Sequence, residues 1–457
     1  MNNYSRRDFL KAAGLVGGGL MISPTLFAQA AGDVSPSNML NVALVGIGKQ
    51  GEVLLDSLLK MPGIKFRAVC DVQPARQRYA AGRIAGIKKD KEIVKHMYED
   101  YRELIANEKD LDAVFIATPD FWHASQTVDF LKAGVNVYCE KMMSNTVEGA
   151  RSMVRAMRES GKLLQIGHQR KSNPRYHYMR DVLIRKMNIC GTITAANGQW
   201  NRSPTIKDLE LPARYKLSEE TLKKYGFANE HQFCNWRWYK DFGGGPISDL
   251  GAHQIDIFGW VLGARPKSVY ATGGVDFYKN KELPDNVMCI YEYESYQGQL
   301  VRAFYQVQTT TGSGGYYESF MGTGGTVRMA EPVSGARVFP EKQDLSGDSK
   351  TVKARWESYV AQGVLLTADE LTLPIEERNV SGDSRESGVP MGHGIPISLT
   401  DPIHMPHINN FFNGIRGTEK LNCDGEHAFE SEAAVYKVYD ALAAEKKLYF
   451  SDADFRV

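Results

Sequence analysis

Between Asn41 and Ile166 short apolar, β-branched runs alternate with stretches of helical period. This alternation restricts the first part of the chain to a parallel sheet with helices on both faces. Residues 41–45, 64–70, 112–117, 135–139 and 163–166 read as buried strands. Residues 50–60, 74–85, 122–133 and 146–160 read as helices, the last two closed by Gly134 and Gly161. Each strand therefore passes to the next through a crossover helix, the right-handed βαβ arrangement. The expected class is α/β, with a doubly wound domain over residues 38–168.

The texture changes after a linking helix at 174–187. Residues 191–200, 267–275, 286–294 and 299–309 are strand-like, and no helix separates the later ones. Val301, Ala303, Tyr305 and Val307 alternate with Arg302, Gln306 and Gln308, as in a sheet with one wet face. Residues 169–457 are thus expected to form an α+β domain on a mostly antiparallel sheet. Residues 331–400 show weak periodicity and suit a long excursion near a site or interface. Helices at 405–417 and 428–446 end the chain and are free to pack back across the domain boundary.

The first thirty residues are of another kind. Ser5-Arg6-Arg7-Asp8-Phe9-Leu10-Lys11 precedes a weakly apolar stretch, Ala12 to Ile22, and then the small-x-small site Ala28-Gln29-Ala30. Paired arginines, a short apolar middle and that ending describe a twin-arginine signal peptide over residues 1–30. The apolar part is shorter than the roughly 20 residues a membrane span needs. The expected location is periplasmic or otherwise exported by the twin-arginine route. The six cysteines are widely spaced with no Cys-x-x-Cys pair, so they read as buried thiols rather than disulfides or a zinc site. Basic and acidic residues number 55 and 54, which leaves no charge footprint for nucleic acid or an anionic membrane.

Gly46-Ile47-Gly48-Lys49-Gln50-Gly51 follows the first strand and opens the first helix. The first glycine permits a tight turn, the second lets backbone approach a pyrophosphate, and the third lets helix pack on strand. Free N–H groups and the helix dipole then favour the phosphates. Asp71 lies 20 residues beyond Gly51 at the end of the second strand, where a carboxylate binds ribose hydroxyls. These features predict a Rossmann domain with a dinucleotide. Asp71 favours NAD, and Arg76 and Arg78 keep NADP open.

Four further motifs carry a resemblance. Ala117-Thr118-Pro119-Asp120-Phe121-Trp122-His123 and Tyr138-Cys139-Glu140-Lys141 each end a strand. Phe242 to His253 contains a glycine run followed by Asp249 and His253, and Gly322 to Thr326 supplies a late strand turn. Together with the glycine loop, this set resembles the Gfo/Idh/MocA oxidoreductases over residues 39–450. The resemblance implies that Thr118, Pro119, His123, Glu140 and Lys141 join Gly46, Ile47, Gly48, Gln50, Gly51 and Asp71 at the cofactor. It also implies that Lys141, Asp249 and His253 are catalytic. Met142 stands where the family has a proline.

The chemistry of these residue types agrees. Oxidising a secondary alcohol requires a base for its hydroxyl proton, which suits His253. Asp249, one helical turn away, is expected to orient His253, and Lys141 to stabilise developing negative charge. Gln169, Arg170, Tyr176 and Trp238 are expected substrate contacts. His404 and His407, three apart before a helix, are within reach of the cleft, with a surface role the preferred reading, and no metal is expected.

The leading expectation is an NAD-dependent oxidoreductase acting on a CH–OH group of a sugar, glycoside or cyclitol. Export favours a tightly held, internally recycled nucleotide, because free NAD is scarce outside the cytoplasm. That argument admits an alternative, NAD-dependent glycoside hydrolysis by transient oxidation and elimination. A non-catalytic NAD-binding protein is a third reading. A homodimer or homotetramer is expected, as in relatives.

Overall fold

The computed structural model describes residues 39–202, 208–332, 334–341, 347–368, 391–399 and 401–457. The expected signal segment, 1–30, lies outside the described residues.

Six parallel strands form the first sheet. They are β1 (Leu40–Val45), β2 (Ile64–Cys70), β3 (Met97–Tyr98), β4 (Ala113–Ile116), β5 (Asn136–Cys139) and β6 (Leu164–Ile166), in the order β3-β2-β1-β4-β5-β6. Val45 pairs with both Cys70 and Ile116, so the carboxyl ends of the three central strands line up. In an open sheet of this order the crevice above those ends is where ligands bind. The crossover helices are α1 (Lys49–Lys60), α2 (Pro74–Lys88), α3 (Tyr101–Asn107), α4 (Asp120–Lys132) and α5 (Val147–Ser160). Local signals explain their ends: Thr146 caps α5 by accepting from Gly149 N–H, and Gly161 closes it at φ +64°. β3 has only two residues, too few for a hydrophobic period, and is not legible in the sequence.

The second domain begins with α6 (Pro174–His177), which runs on as a π-helical segment to Lys186. Its sheet contains β7 (Ile193–Asn201), β8 (Pro266–Gly274), β9 (Asn286–Glu294), β10 (Leu300–Gln308), β11 (Tyr316–Gly322), β12 (Gly325–Met329), β13 (Arg337–Pro340) and β14 (Leu448–Tyr449). The order is β13-β12-β11-β7-β10-β9-β8-β14, and only the β10–β7 pair is parallel. Val301, Ala303, Tyr305 and Val307 are fully buried on the inner face. Between β7 and β8 the chain makes α7 (Glu219–Lys224), α8 (Glu230–Cys234) and, after a π-helical turn at Ile247–Gly251, α9 (Ala252–Leu262). The excursion after β13 carries α10 (Ser349–Ala361), and the chain closes with α11 (Met405–Ile415) and α12 (Gly425–Ala444).

The last two helices fix how the domains meet. Ile408, Phe411 and Phe412 of α11 pack on Phe115 and Tyr138 of the parallel sheet. Along α12, Ala428 and Phe429 belong to the first domain's core, and Ala434, Val435, Val438 and Ala441 to the second's. One rigid helix therefore spans both cores, and each buried aromatic or branched side chain contributes about 1.5–3 kcal/mol to that junction. All six cysteines are free thiols, and five of them are buried.

Candidate functional site

The glycine loop turns where the motif requires it. Gly46 has φ +85°, and a Cβ there would lie 2.7 Å from the Ala117 carbonyl carbon. A Cβ on Gly51 would lie 2.0 Å from the Gly46 carbonyl oxygen, so Gly51 serves helix-on-strand packing. Gly48 has no atom within 4 Å of its absent Cβ and no side-chain cap beside it. Open space and unpaired helix N–H groups there make a cradle of the size and polarity a pyrophosphate needs.

Asp71 accepts hydrogen bonds from Ile47 N–H (2.6 Å) and Gln73 N–H (2.8 Å) at the cradle's edge. Burial pushes its carboxyl up, while these two bonds and Arg76 oppose the shift. Arg76 donates to the Ile47 carbonyl (2.7 Å) and Glu52 (3.1 Å), so its guanidinium is already engaged. Arg78 is exposed and does not line the cleft. Ile47 and Gly51 lie behind the loop instead of facing the cofactor space, because the Ile47 side chain is fully buried and its N–H is taken by Asp71.

The loop opens onto a cleft of about 1130 Å³ between the domains. Gly46, Gly48, Gln50, Asp71, Thr118, Pro119, Glu140, Lys141, Gln169, Asp249 and His253 all line it. Gln50 Nε2 donates to Glu140 Oε1 (2.9 Å) and lies 3.0 Å from His404 Nε2. His404 is thus a cleft residue, correcting the surface reading. His407 is fully buried, with ring nitrogens 2.6 Å from Ser172 Oγ and 2.8 Å from the Ile166 carbonyl. His123 is fully buried too, its nitrogens 2.6 and 2.8 Å from the carbonyl oxygens of Met142 and Thr118. It lines the cleft and tethers the loops after β4 and β5. The Lys141–Met142 peptide bond is cis.

Lys141 Nζ donates to the Asp249 carbonyl (2.6 Å) and lies 3.5 Å from the Asp249 carboxylate. That carboxylate also meets Arg237 Nε (3.2 Å) and Arg202 Nη1 (3.8 Å). Burial works against its ionisation, but Arg237, Lys141 and Arg202 outweigh it and hold the carboxyl well below its usual range. The expected Asp249–His253 pairing gives way to this arrangement. The Ile247–Gly251 turn is π-helical, and three cations draw the carboxylate to themselves. His253 is buried against Trp200, with ring centroids 5.8 Å apart. Its Nδ1 has no hydrogen-bond partner among the described residues, and burial drives its pKa well below the ordinary value. A neutral imidazole at the cleft wall can accept a proton.

Three expected substrate contacts lie elsewhere. Arg170 is ion-paired with Glu318 and Glu331, and Tyr176 OH donates to Glu318 (2.9 Å). Both are buried beneath the cleft floor, where a charge persists only when paired. Trp238 packs on Tyr278 outside the cleft, and its neighbour Trp236 takes the lining position. Asp256 is buried against Lys171 (2.8 Å) and Ser431 (2.6 Å). Among the described residues no group of three or more His, Cys, Asp or Glu side chains is arranged to hold a metal ion.

Sequence reasoning missed Trp200, Arg202 and Tyr316 and gave no role of their own to Asp120 and Arg237, although all five line the cleft. Asp120 sits in a motif already singled out and Arg202 just beyond a strand end, so both positions carried a signal. Burial pushes the Asp120 carboxyl up to about 7, with Lys141 and Arg237 restraining it.

Two family models match the halves of this architecture. Residues 40–168 match the oxidoreductase family with an NAD-binding Rossmann fold, and residues 223–328 the GFO/IDH/MocA C-terminal domain. The chain belongs to the Gfo/Idh/MocA oxidoreductase family. It is 22% identical over 230 residues to the uncharacterised oxidoreductase YrbE of Bacillus subtilis, covering 50% of this chain and 56% of that protein. It is 30% identical over 164 residues to the α-N-acetylgalactosaminidase of Shewanella oneidensis, covering 32% of this chain and 36% of that enzyme. The chain thus spans between about a third and about half the length of these curated relatives.

Among solved structures of the same fold is the WlbA dehydrogenase of Chromobacterium violaceum, in complex with NADH and UDP-GlcNAcA. It is 18% identical with a TM-score of 0.62, covering 92% of this chain and 98% of that one. The myo-inositol 2-dehydrogenase of Lactobacillus plantarum is 15% identical with a TM-score of 0.60, covering 90% of this chain and all of that one. The Gfo/Idh/MocA cofactor is an NAD-type dinucleotide, and the glycine cradle, the open Gly48 and Asp71 fit it.

Proposed function

We propose that this protein oxidises or reduces a CH–OH group of a sugar, glycoside or cyclitol. The observation that carries the reading is that Lys141, at the end of a Rossmann strand, and His253, from the second domain, face one cleft with the glycine cradle. With NAD bound in the cradle, the site gains a hydride acceptor. His253, neutral at physiological pH, takes the substrate hydroxyl proton. Lys141 donates to the same oxygen and stabilises its developing charge. Asp249 fixes the Lys141 ammonium, replacing its expected role on His253. The test is nicotinamide absorbance on mixing the protein with a panel of sugars, glycosides and cyclitols. No change across the panel would count against the reading.

A retained nucleotide is part of the proposal. Leu222, Tyr225, Phe227, Trp236 and Phe242 form a hydrophobic cluster that packs on Val72, Phe121 and Trp122 of the first domain. Tyr215 lies 4.6 Å beneath the Arg76 guanidinium, and Gln73 donates to its carbonyl. Residues 208–242 thus lie across the end of the cleft beside Asp71. Denaturing the purified protein should release about one nucleotide per chain.

A second reading, NAD-dependent glycoside hydrolysis, is favoured by the 30% identity to the Shewanella α-N-acetylgalactosaminidase. Chromophore release from aryl glycosides without net NADH would decide for it. We further propose export by the twin-arginine route, on the strength of Arg6-Arg7 and the Ala28-Gln29-Ala30 site. Arg6→Lys with Arg7→Lys should then leave the protein unexported. A homodimer or homotetramer is proposed from the outer sheet face, where Tyr270 pairs across strands with Ile290, and Ile290 with Phe304. Tyr270 and Ile290 are each 43% exposed there.

A further inference from the structure

The proposed reaction leaves part of the cleft's charge unused. Arg202 follows β7 and Arg237 follows α8, and they approach the Asp249 carboxylate at 3.8 and 3.2 Å, with Lys141 at 3.5 Å. One carboxylate faces three cations. The arginine side chains are 42% and 45% exposed, and that of Asp249 only 23%. Among the described residues, neither guanidinium has another carboxylate partner, so several N–H donors face the cleft.

Neighbouring acids do not supply the missing charge. Glu331 is turned to Arg170 and Gln169, at 3.3 Å from each. Glu140 is bonded to Gln50. Asp120 is pushed by burial up to about 7 and is only partly ionised at neutral pH. Arg237 is held over the Trp236 ring, its guanidinium carbon 4.2 Å from the centroid, which limits its freedom before a ligand arrives. Planar guanidinium forks match the oxygens of a carboxylate or sulfate, two bonds at a time.

We propose that the substrate is an acidic sugar, whose carboxylate or sulfate ester sits against Arg202 and Arg237 while its carbinol faces Lys141 and His253. This rests on the reading of the cleft as a sugar site and adds the substrate's charge to it. A neutral sugar of the same shape would leave these donors to water, so the arginines discriminate by charge.

The test is calorimetric titration of the nucleotide-loaded protein with matched pairs: methyl glucuronide against methyl glucoside, methyl galacturonide against methyl galactoside, and glucose 6-sulfate against glucose. At least one acidic member should bind about tenfold or more tighter than its neutral partner, the size of one charge-assisted hydrogen bond. The uronides and the sulfate ester tell carboxylate from sulfate. Arg202→Met with Arg237→Met should bring the ratio near one, and the paired lysine substitutions should keep part of it. Equal binding of acid and neutral members, a preference that survives the methionine substitutions, or no binding by any member would each overturn the proposal. Equal binding accompanied by nicotinamide reduction would still leave the oxidoreductase reading standing. Tight acidic binding without reduction or glycoside cleavage would remove that reading and keep this one.

Discussion

Lys141 bridges the two domains at Asp249, its Nζ 2.6 Å from the Asp249 carbonyl and 3.5 Å from the carboxylate. The lysine lies two residues beyond the end of β5 in the parallel sheet, and the aspartate sits in the π-helical turn that leads into α9. The cation thereby gains a partner that orders it and a position on the cleft wall. Arg237 and Arg202 share the same carboxylate, so Asp249 neutralises only part of the ammonium's charge.

Lys141→Met should therefore lower kcat on the best sugar by roughly 10²–10³-fold, the usual cost of removing a donor to developing charge. Nucleotide released on denaturation should stay near one per chain, because the cradle is intact. A loss below tenfold would remove Lys141 from the chemistry.

Two glycines of the cradle should behave in opposite ways. Gly48→Ala places its methyl in open space, so Tm without nucleotide should hold while nucleotide is lost from the purified protein. Gly46→Ala meets the Ala117 backbone at 2.7 Å with φ +85°, and should cost at least about 1–2 kcal/mol of stability. Chemical unfolding of both variants separates the two effects.

Asp120 should appear in the pH profile. Burial is the main cause that sets its carboxyl near 7, so it is neutral below that pH and charged above. The charged form faces Lys141 and Arg237, so the field at the reacting end changes as it ionises, and kcat/KM should change through pH 7. Asp120→Asn should remove that step, and a profile unchanged by the substitution would refute the assignment.

His407 is buried with its pKa lowered by burial to about 3, against an ordinary value near 6.5. Below pH 6.5 the unfolded chain takes up a proton there that the folded protein refuses. Stability is therefore lost as pH falls from about 6.5 toward 3, at up to about 1.4 kcal/mol per pH unit. His407→Gln should make the dependence of unfolding free energy on pH shallower by about that slope in the same window, as urea titrations at several pH values would read.

The exposed apolar row on the outer sheet face gives a test of assembly. Ile290→Glu replaces a side chain paired with Tyr270 and Phe304 by a charge. Light scattering should show a smaller particle than wild type with an unchanged circular dichroism spectrum. A particle of wild-type mass would place any interface elsewhere.

Much of the fold was legible because its signals are local. Strand and helix periods, Gly46 and Gly51 at the turn, Gly161 closing its helix, and Asp71 at the end of β2 all act within a few residues or one βαβ unit. Local patterns also located Lys141, Asp249 and His253. They could not say what each side chain meets. Arg170 looked like a substrate contact because it follows a strand end, yet Glu318 draws it into the interior.

The amino-acid sequence by itself determined the two-domain plan, the nucleotide cradle and the residue types of the reacting end, since hydrophobic period and backbone chirality act between near neighbours. Only the tertiary structure decided that Asp249 meets Lys141 and not His253, that His404 joins the cleft and His407 does not, and that Arg202 and Arg237 line it. Lys141 and Asp249 lie 108 residues apart, and Arg170 and Glu318 lie 148 apart. Pairings at that range are set by which surfaces bury against each other, and no short window of sequence encodes them.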